Sequence, residues 1–216
     1  MINKILRKLG VDTRKSYQKH AVFWTQEVSF TSIPDRFKFF KDLCKDKSVL
    51  HLGCTDWPIF DPSYNLHIKL AKVTSLLHGF DIDKEGIANL KNYVDQPYYS
   101  DFKELNNQQY DICLVPETIE HVDDVRTFLE GLSTVNAGEF YITAPNCFAK
   151  VHMERNFYSK DKIIEVVHPD HNCWYSPYTL KNQIQKYSNL KVTEVFLLND
   201  DSMVCCKAIK EAKVLK

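Results

Sequence analysis

Between residues 48 and 143 the chain alternates short apolar runs with stretches of helical spacing. No other feature restricts its fold as much. SVLHL (48–52), LLHGFDI (76–82), PYYS (97–100), YDICLV (110–115) and EFYIT (139–143) read as strands. The stretches between three of these pairs repeat apolar side chains every three or four positions. They are 65–75 (Leu66, Leu70, Val73), 84–93 (Ile87, Leu90) and 122–132 (Val125, Phe128, Leu129, Leu132). Strand, helix and strand in succession close through right-handed crossovers that leave the strands parallel. Strands apolar along their whole length are those covered on both faces. The prediction is an α/β chain with a doubly wound, mostly parallel sheet.

Both ends leave this pattern. Residues 146–175 have no clear period, and a helix follows at 177–187. Two strands, 191–198 and 203–209, are then separated only by Asn199, Asp200, Asp201 and Ser202, which predicts an antiparallel C-terminal hairpin and seven strands in all. Upstream, Pro34 suits the first turn of a helix running through Phe37, Phe40 and Leu43. Residues 2–9 place Ile2, Ile5, Leu6 and Leu9 on one side of a short basic helix. The expected division is a helical arm (1–33) followed by one domain (34–216). The arm's stripe suits docking on the domain or contact with an anionic membrane surface through Lys4, Arg7 and Lys8.

Composition narrows the function classes. A hydrophobic content of 44%, with 13 Phe, 11 Tyr and 3 Trp, supplies a sizeable core and excludes general disorder. No apolar run reaches the roughly 18–20 residues of a membrane span, and MINKILRKLG lacks the apolar region of a signal peptide. Seven cysteines without a CxxC pair read as reduced thiols of a cytoplasmic protein. The formal net charge is zero, which argues against a nucleic-acid partner. Residues 49–130 nevertheless carry 14 acidic against 6 basic side chains, which suits a cationic ligand or a metal.

Ligands of open α/β sheets bind beyond the carboxyl ends of the strands. The residues found there are Gly53-Cys54-Thr55-Asp56-Trp57, Asp81-Ile82-Asp83, Ser100-Asp101-Phe102 and Pro116-Glu117. Gly53 admits a close approach of backbone to ligand, and Asp81 is placed to accept hydrogen bonds from a ribose diol. Plainer readings accompany these. Gly53 fits a tight turn, Asp83 and Asp101 fit helix N-caps, and His51 reads as a hydrogen-bonded core histidine.

The ordered segments VLHLGC (49–54), HGFDID (78–83), SDF (100–102), YDICLVPETIEHV (110–122) and FYITAPN (140–146) resemble the class I S-adenosylmethionine (SAM) methyltransferases, over roughly residues 34–209. The resemblance implies a Rossmann-like fold and SAM as cofactor. It places Gly53 by the methionine part, Asp81 on the ribose, Ile82 against adenine, and Asp101 with Phe102 at the adenine end. Cys54, Thr55 and Pro116 complete the implied cofactor-binding positions. The family's first loop reads acid-x-Gly-x-Gly-x-Gly, whereas this chain has His51, Gly53, Thr55 and Trp57. Its loop is therefore shaped differently, or SAM binds weakly, with Thr55 and Trp57 narrowing the mouth. Two other readings stay open. A nicotinamide dehydrogenase also places an acid after its second strand, but 53–58 lacks Gly-x-Gly-x-x-Gly. A catalytically silent binding module of the same fold would have lost SAM with its glycines.

Glu117, Glu120 and His121 stand at i, i+3 and i+4, where one helical turn would put them on one face. With the later Asp170-His171-Asn172-Cys173-Trp174 they resemble two metal-dependent O-methyltransferase groups. One acts on small-RNA 3′ ends and the other in ubiquinone synthesis. That resemblance implies Glu117, Glu120, His121 and His171 as ligands of Mg²⁺ or Mn²⁺, and Glu120, His121 and His171 as catalytic residues. The expected acceptor is a small polyhydroxylated molecule, such as a sugar of a surface glycan, methylated on oxygen.

Overall fold

The computed structural model describes residues 25–211. Its elements are β1 (Thr31–Ile33), α1 (Arg36–Cys44), β2 (Ser48–Leu52), α2 (Leu66–Leu70), β3 (Leu76–Phe80), α3 (Lys84–Leu90), β4 (Tyr98–Tyr99), β5 (Tyr110–Val115), α4 (Val125–Leu132), β6 (Ala137–Pro145), α5 (Lys150–Arg155), β7 (Phe157–Ser159), β8 (Lys162–Ile164), α6 (Pro177–Tyr187), β9 (Leu190–Leu198) and β10 (Met203–Lys210). Short 3₁₀ turns lie at Phe102–Leu105 and Ile119–His121. The helix of residues 2–9 lies outside the described residues.

The main sheet has the order β1-β9-β10-β6-β5-β2-β3-β4. β2 pairs in parallel with β3 and β5, β3 with β4, and β5 with β6. β10 runs antiparallel to both β6 and β9, as the C-terminal hairpin predicts. The sheet has eight strands rather than seven. The added one is β1, which pairs in parallel with β9 from Thr31 opposite Phe196 to Ile33 opposite Leu198. Residues 31–33, expected in the helical arm, are thus part of the sheet. α1 starts at Arg36 rather than near Pro34, because the Asp35 carboxylate accepts the Lys38 N–H at 2.9 Å and caps it there. The stretch 146–175 is not wholly irregular, since it holds α5 and the separate β7–β8 pair.

Alternation along each strand divides the core between the two faces of the sheet. Leu50, Leu52, Cys113, Val115, Phe140, Ile142, Val204 and Cys206 meet Leu129 and Leu132 of α4 and Leu180 and Ile184 of α6. On the other face Val49, Ile112, Leu114, Tyr141 and Cys205 meet Phe40 and Cys44 of α1 and Leu66 and Leu70 of α2. All seven cysteines are free thiols, and among the described residues no helix is long and apolar enough to cross a membrane. Chain order reverses between β2 and β5. The crevice beyond their carboxyl ends is where this architecture leaves room for a ligand.

Candidate active site

A cavity of about 730 Å³ fills that crevice. At its centre the backbone leaves β2 through Gly53. The residue sits at φ +66°, and its N–H donates to the Phe80 carbonyl at 2.9 Å. A Cβ there would lie 2.2 Å from Thr118 Oγ1, so glycine is demanded by conformation and by space. Beyond it, side chains do the work of the absent glycines. The Asp81 carboxylate accepts the Thr55 N–H at 3.1 Å and the Thr55 hydroxyl at 2.9 Å through one oxygen, and the Asp83 N–H at 3.0 Å through the other. Buried Asn65 donates to the Cys54 carbonyl and to Asp56 Oδ2, each at 3.0 Å, while its own oxygen caps α2. Asp56 stands in left-handed backbone at φ +54°. The residue as a whole is exposed, but its carboxyl turns inward to Asn65, and desolvation raises it to about 6.

Ile82, 81% exposed, offers an uncovered apolar face to the cavity. Phe102 stacks on Phe80 with ring centroids 4.8 Å apart, and Gly131 makes room for it, since a Cβ at 131 would sit 2.5 Å from the ring. Asp83 caps α3 through the Gly86 N–H at 2.8 Å. Asp101 lines the cavity and is also an N-cap, accepting the Lys103 N–H at 2.9 Å in a capping box with Glu104. Two implied cofactor residues do not line the cavity. Cys54 turns beneath the loop and is fully buried, and the Pro116 carbonyl accepts the Thr118 hydroxyl at 2.9 Å. Trp57 does line it, at the mouth.

Glu117, Glu120 and His121 do not share a helical face. Glu117 adopts φ +45°, its N–H donates to Thr143 Oγ1 at 3.0 Å, and its carboxylate is paired with Arg36 of α1. That left-handed residue turns the chain before the 3₁₀ turn begins, so the three are not one turn of a regular helix, although all three line the cavity. Glu120 is 1% exposed, and neither carboxylate oxygen has a hydrogen-bond partner. Desolvation, helped by the nearby Glu117 charge, raises its carboxyl to about 8. His121 meets the segment after β8. Its ring lies 4.6 Å from that of His171 and 5.3 Å from that of His168, and the latter two are 5.7 Å apart. Asn172 fastens the two segments together, its N–H donating to the Glu120 carbonyl at 2.7 Å and its amide to the His121 carbonyl at 3.1 Å. Desolvation and the neighbouring imidazoles lower both His121 and His171 from the usual imidazole range. His168, one of the two histidines before the helix at Pro177, is not among the ligands that the resemblance implies, yet it lines the cavity. Its i, i+3 spacing to His171 was the available signal. His51 is a core histidine, with Nδ1 3.1 Å from Nδ1 of buried His67.

No protein-family model and no curated protein matches the sequence. Solved structures do match. A type 11 methyltransferase from Sulfolobus solfataricus, described as putative, superposes with a TM-score of 0.61 at 12% identity, over 85% of this chain and 96% of that one. A SAM-dependent methyltransferase from Archaeoglobus fulgidus gives 0.55 at 16% identity, over 81% and 91%. Magnesium protoporphyrin IX methyltransferase from Synechocystis, solved with bound S-adenosylhomocysteine, gives 0.52 at 12% identity, over 81% and 82%. At such identities the likeness concerns architecture, and it agrees with the strand order and the position of the crevice: this chain has the fold of the class I SAM-dependent methyltransferases.

Proposed function

We propose that the chain is a SAM-dependent methyltransferase acting on a hydroxyl oxygen of a small polyhydroxylated acceptor, such as a sugar of a surface glycan. The observation that carries this reading is one continuous cavity with two unlike ends. At one end Ile82, Phe102 and Asp81 suit an adenine ring and a ribose diol. At the other, Glu120 and three histidines supply groups that accept or share a proton. Asp56 and Glu117 also line the cavity, and such acidic surroundings favour a sulfonium over a pyrophosphate.

Methyl transfer is an in-line displacement. The acceptor oxygen forms a bond to the methyl carbon as the carbon–sulfur bond breaks, and the hydroxyl proton must leave. His121 and His171, which line the cavity, are the bases this reading assigns to that proton when no ion is bound. Metal assistance belongs to the same proposal. Of the four implied ligands, Glu117 is held by Arg36, whereas both oxygens of Glu120 and Nδ1 of His171 are buried without a hydrogen-bond partner. A divalent ion bound there would lower the hydroxyl's pKa, so that no strong base is needed. A neutral chain with an acidic middle points away from RNA as the acceptor.

The test is transfer of label from methyl-labelled SAM to a panel of sugars and nucleotide sugars. Calorimetry with SAM on the same preparation accompanies it. Binding and transfer to a hydroxylated acceptor support the reading. Micromolar SAM binding without transfer to any hydroxyl refutes the acceptor class, and absence of SAM binding leaves a silent module.

A further inference from the structure

We infer that His121, His168 and His171 form a three-imidazole site for a divalent transition ion, with His168 in the place that resemblance gives to Glu117. The inference extends the metal part of the proposed function, and the ion binding itself can be read without turnover. Each of the three residues is half-buried, and each offers a nitrogen lying within 4.8 Å of the other two. Nitrogens sharing one ion at about 2.0–2.1 Å stand roughly 3–4 Å apart, so side-chain rotation of under about an ångström brings them together. The frame that carries them is already fixed. Asn172 joins the Glu120–His121 backbone to the later segment, and the His171 N–H donates to the His168 carbonyl at 3.0 Å.

Three features point to a ligand rather than to a packed cluster. His171 Nδ1 is buried without a hydrogen-bond partner. Both oxygens of Glu120, a side chain almost wholly buried against the same cavity, also lack one, which leaves oxygen donors unengaged beside the three imidazoles. All three histidines line the cavity instead of packing into the core. The opposing contact is weak. His168 Nδ1 accepts the Asp170 N–H at 3.2 Å, a bond that an ion has to outcompete. Glu117 is already tied to Arg36 through one carboxylate oxygen.

The donor set also chooses the ion. Three imidazole nitrogens favour ions such as Co²⁺ and Zn²⁺, whereas Mg²⁺ takes oxygen ligands almost exclusively. The experiment titrates Co²⁺ into tag-free, chelator-treated protein while following its visible absorption bands, with calorimetry for Zn²⁺ and Mg²⁺. One equivalent of Co²⁺ should bind, at least tenfold more weakly in His168→Ala and His121→Ala, and a hundredfold excess of Mg²⁺ should leave the bands unchanged. Glu117→Gln should alter Co²⁺ affinity less than twofold. Circular dichroism verifies that each variant is folded, and His168→Gln replaces His168→Ala if the latter is not. Absence of Co²⁺ binding, binding indifferent to His168, displacement by Mg²⁺, or a tenfold loss in Glu117→Gln each overturns the inference. SAM calorimetry on the wild-type protein is independent of this outcome. Ion binding without SAM binding sinks the methyl-transfer reading alone, and the reverse sinks only the metal site.

Discussion

Replacing Gly53 by alanine tests the account of the cofactor loop most directly. The substitution does two separable things. It forces an L-residue to φ +66°, which costs about 1–2 kcal/mol. It also drives a methyl group to 2.2 Å from Thr118 Oγ1, and overpacking of this kind costs about 1–3 kcal/mol. The expected loss of stability is therefore about 2–5 kcal/mol, read as a fall in the urea midpoint. In a Thr118→Ala background the hydroxyl is gone, and the nearest remaining Thr118 atom in line is Cβ at 3.3 Å. There the same substitution should cost only the backbone part, about 1–2 kcal/mol. Thr118→Ala alone loses the bond to the Pro116 carbonyl, about 1 kcal/mol. The four proteins form a double-mutant cycle whose coupling is the steric part. Equal costs of Gly53→Ala in both backgrounds would refute the packing argument, and a cost under about 0.5 kcal/mol in both would refute the conformational one.

Three further outcomes are expected. Asp81→Asn weakens a charge-assisted bond to the ribose and sets an amide N–H against the Thr55 or Asp83 N–H, so SAM affinity should fall by about 1.5–3 kcal/mol in calorimetry; unchanged affinity removes Asp81 from the site. Ile82→Asp should leave the unfolding midpoint untouched, because the side chain is 81% exposed, while SAM binding drops about tenfold through loss of an apolar contact; a destabilised protein with intact SAM affinity contradicts this. Burial holds His51 well below its usual range and His67 at about 3, so below about pH 6.5 the unfolded chain binds protons that the folded chain refuses. Stability should therefore decline from pH 6.5 toward 4.5, and more steeply than in His67→Gln; identical slopes in urea unfolding would show that the pair is not responsible.

Periodicity along the chain was enough for the parallel sheet, because a strand's two faces and a helix's stripe are written in neighbouring residues. Val49 and His51 face one layer and Leu50 and Leu52 the other whatever the rest of the chain does. The positions of Asp81, Ile82 and Phe102 at the crevice follow from the same local logic, since each stands at or just past the carboxyl end of a predicted strand. β1 was not legible: three residues with no apolar alternation become a strand only because β9 presents an open edge. Neither was the fate of Glu117. Its side chain is directed by a left-handed backbone and by Arg36, 81 residues away, and neither leaves a mark in the spacing of Glu-x-x-Glu-His. The histidine cluster shows the same division. The spacing of His168 and His171 is a property of the sequence, but their meeting with His121 depends on how the chain returns over the carboxyl ends of β5 and β6 and is tied down by Asn172. Local patterns determine which face a residue takes, because backbone geometry repeats over a few residues. Which distant side chains meet at a site depends on pairings and loop paths that only the assembled sheet decides.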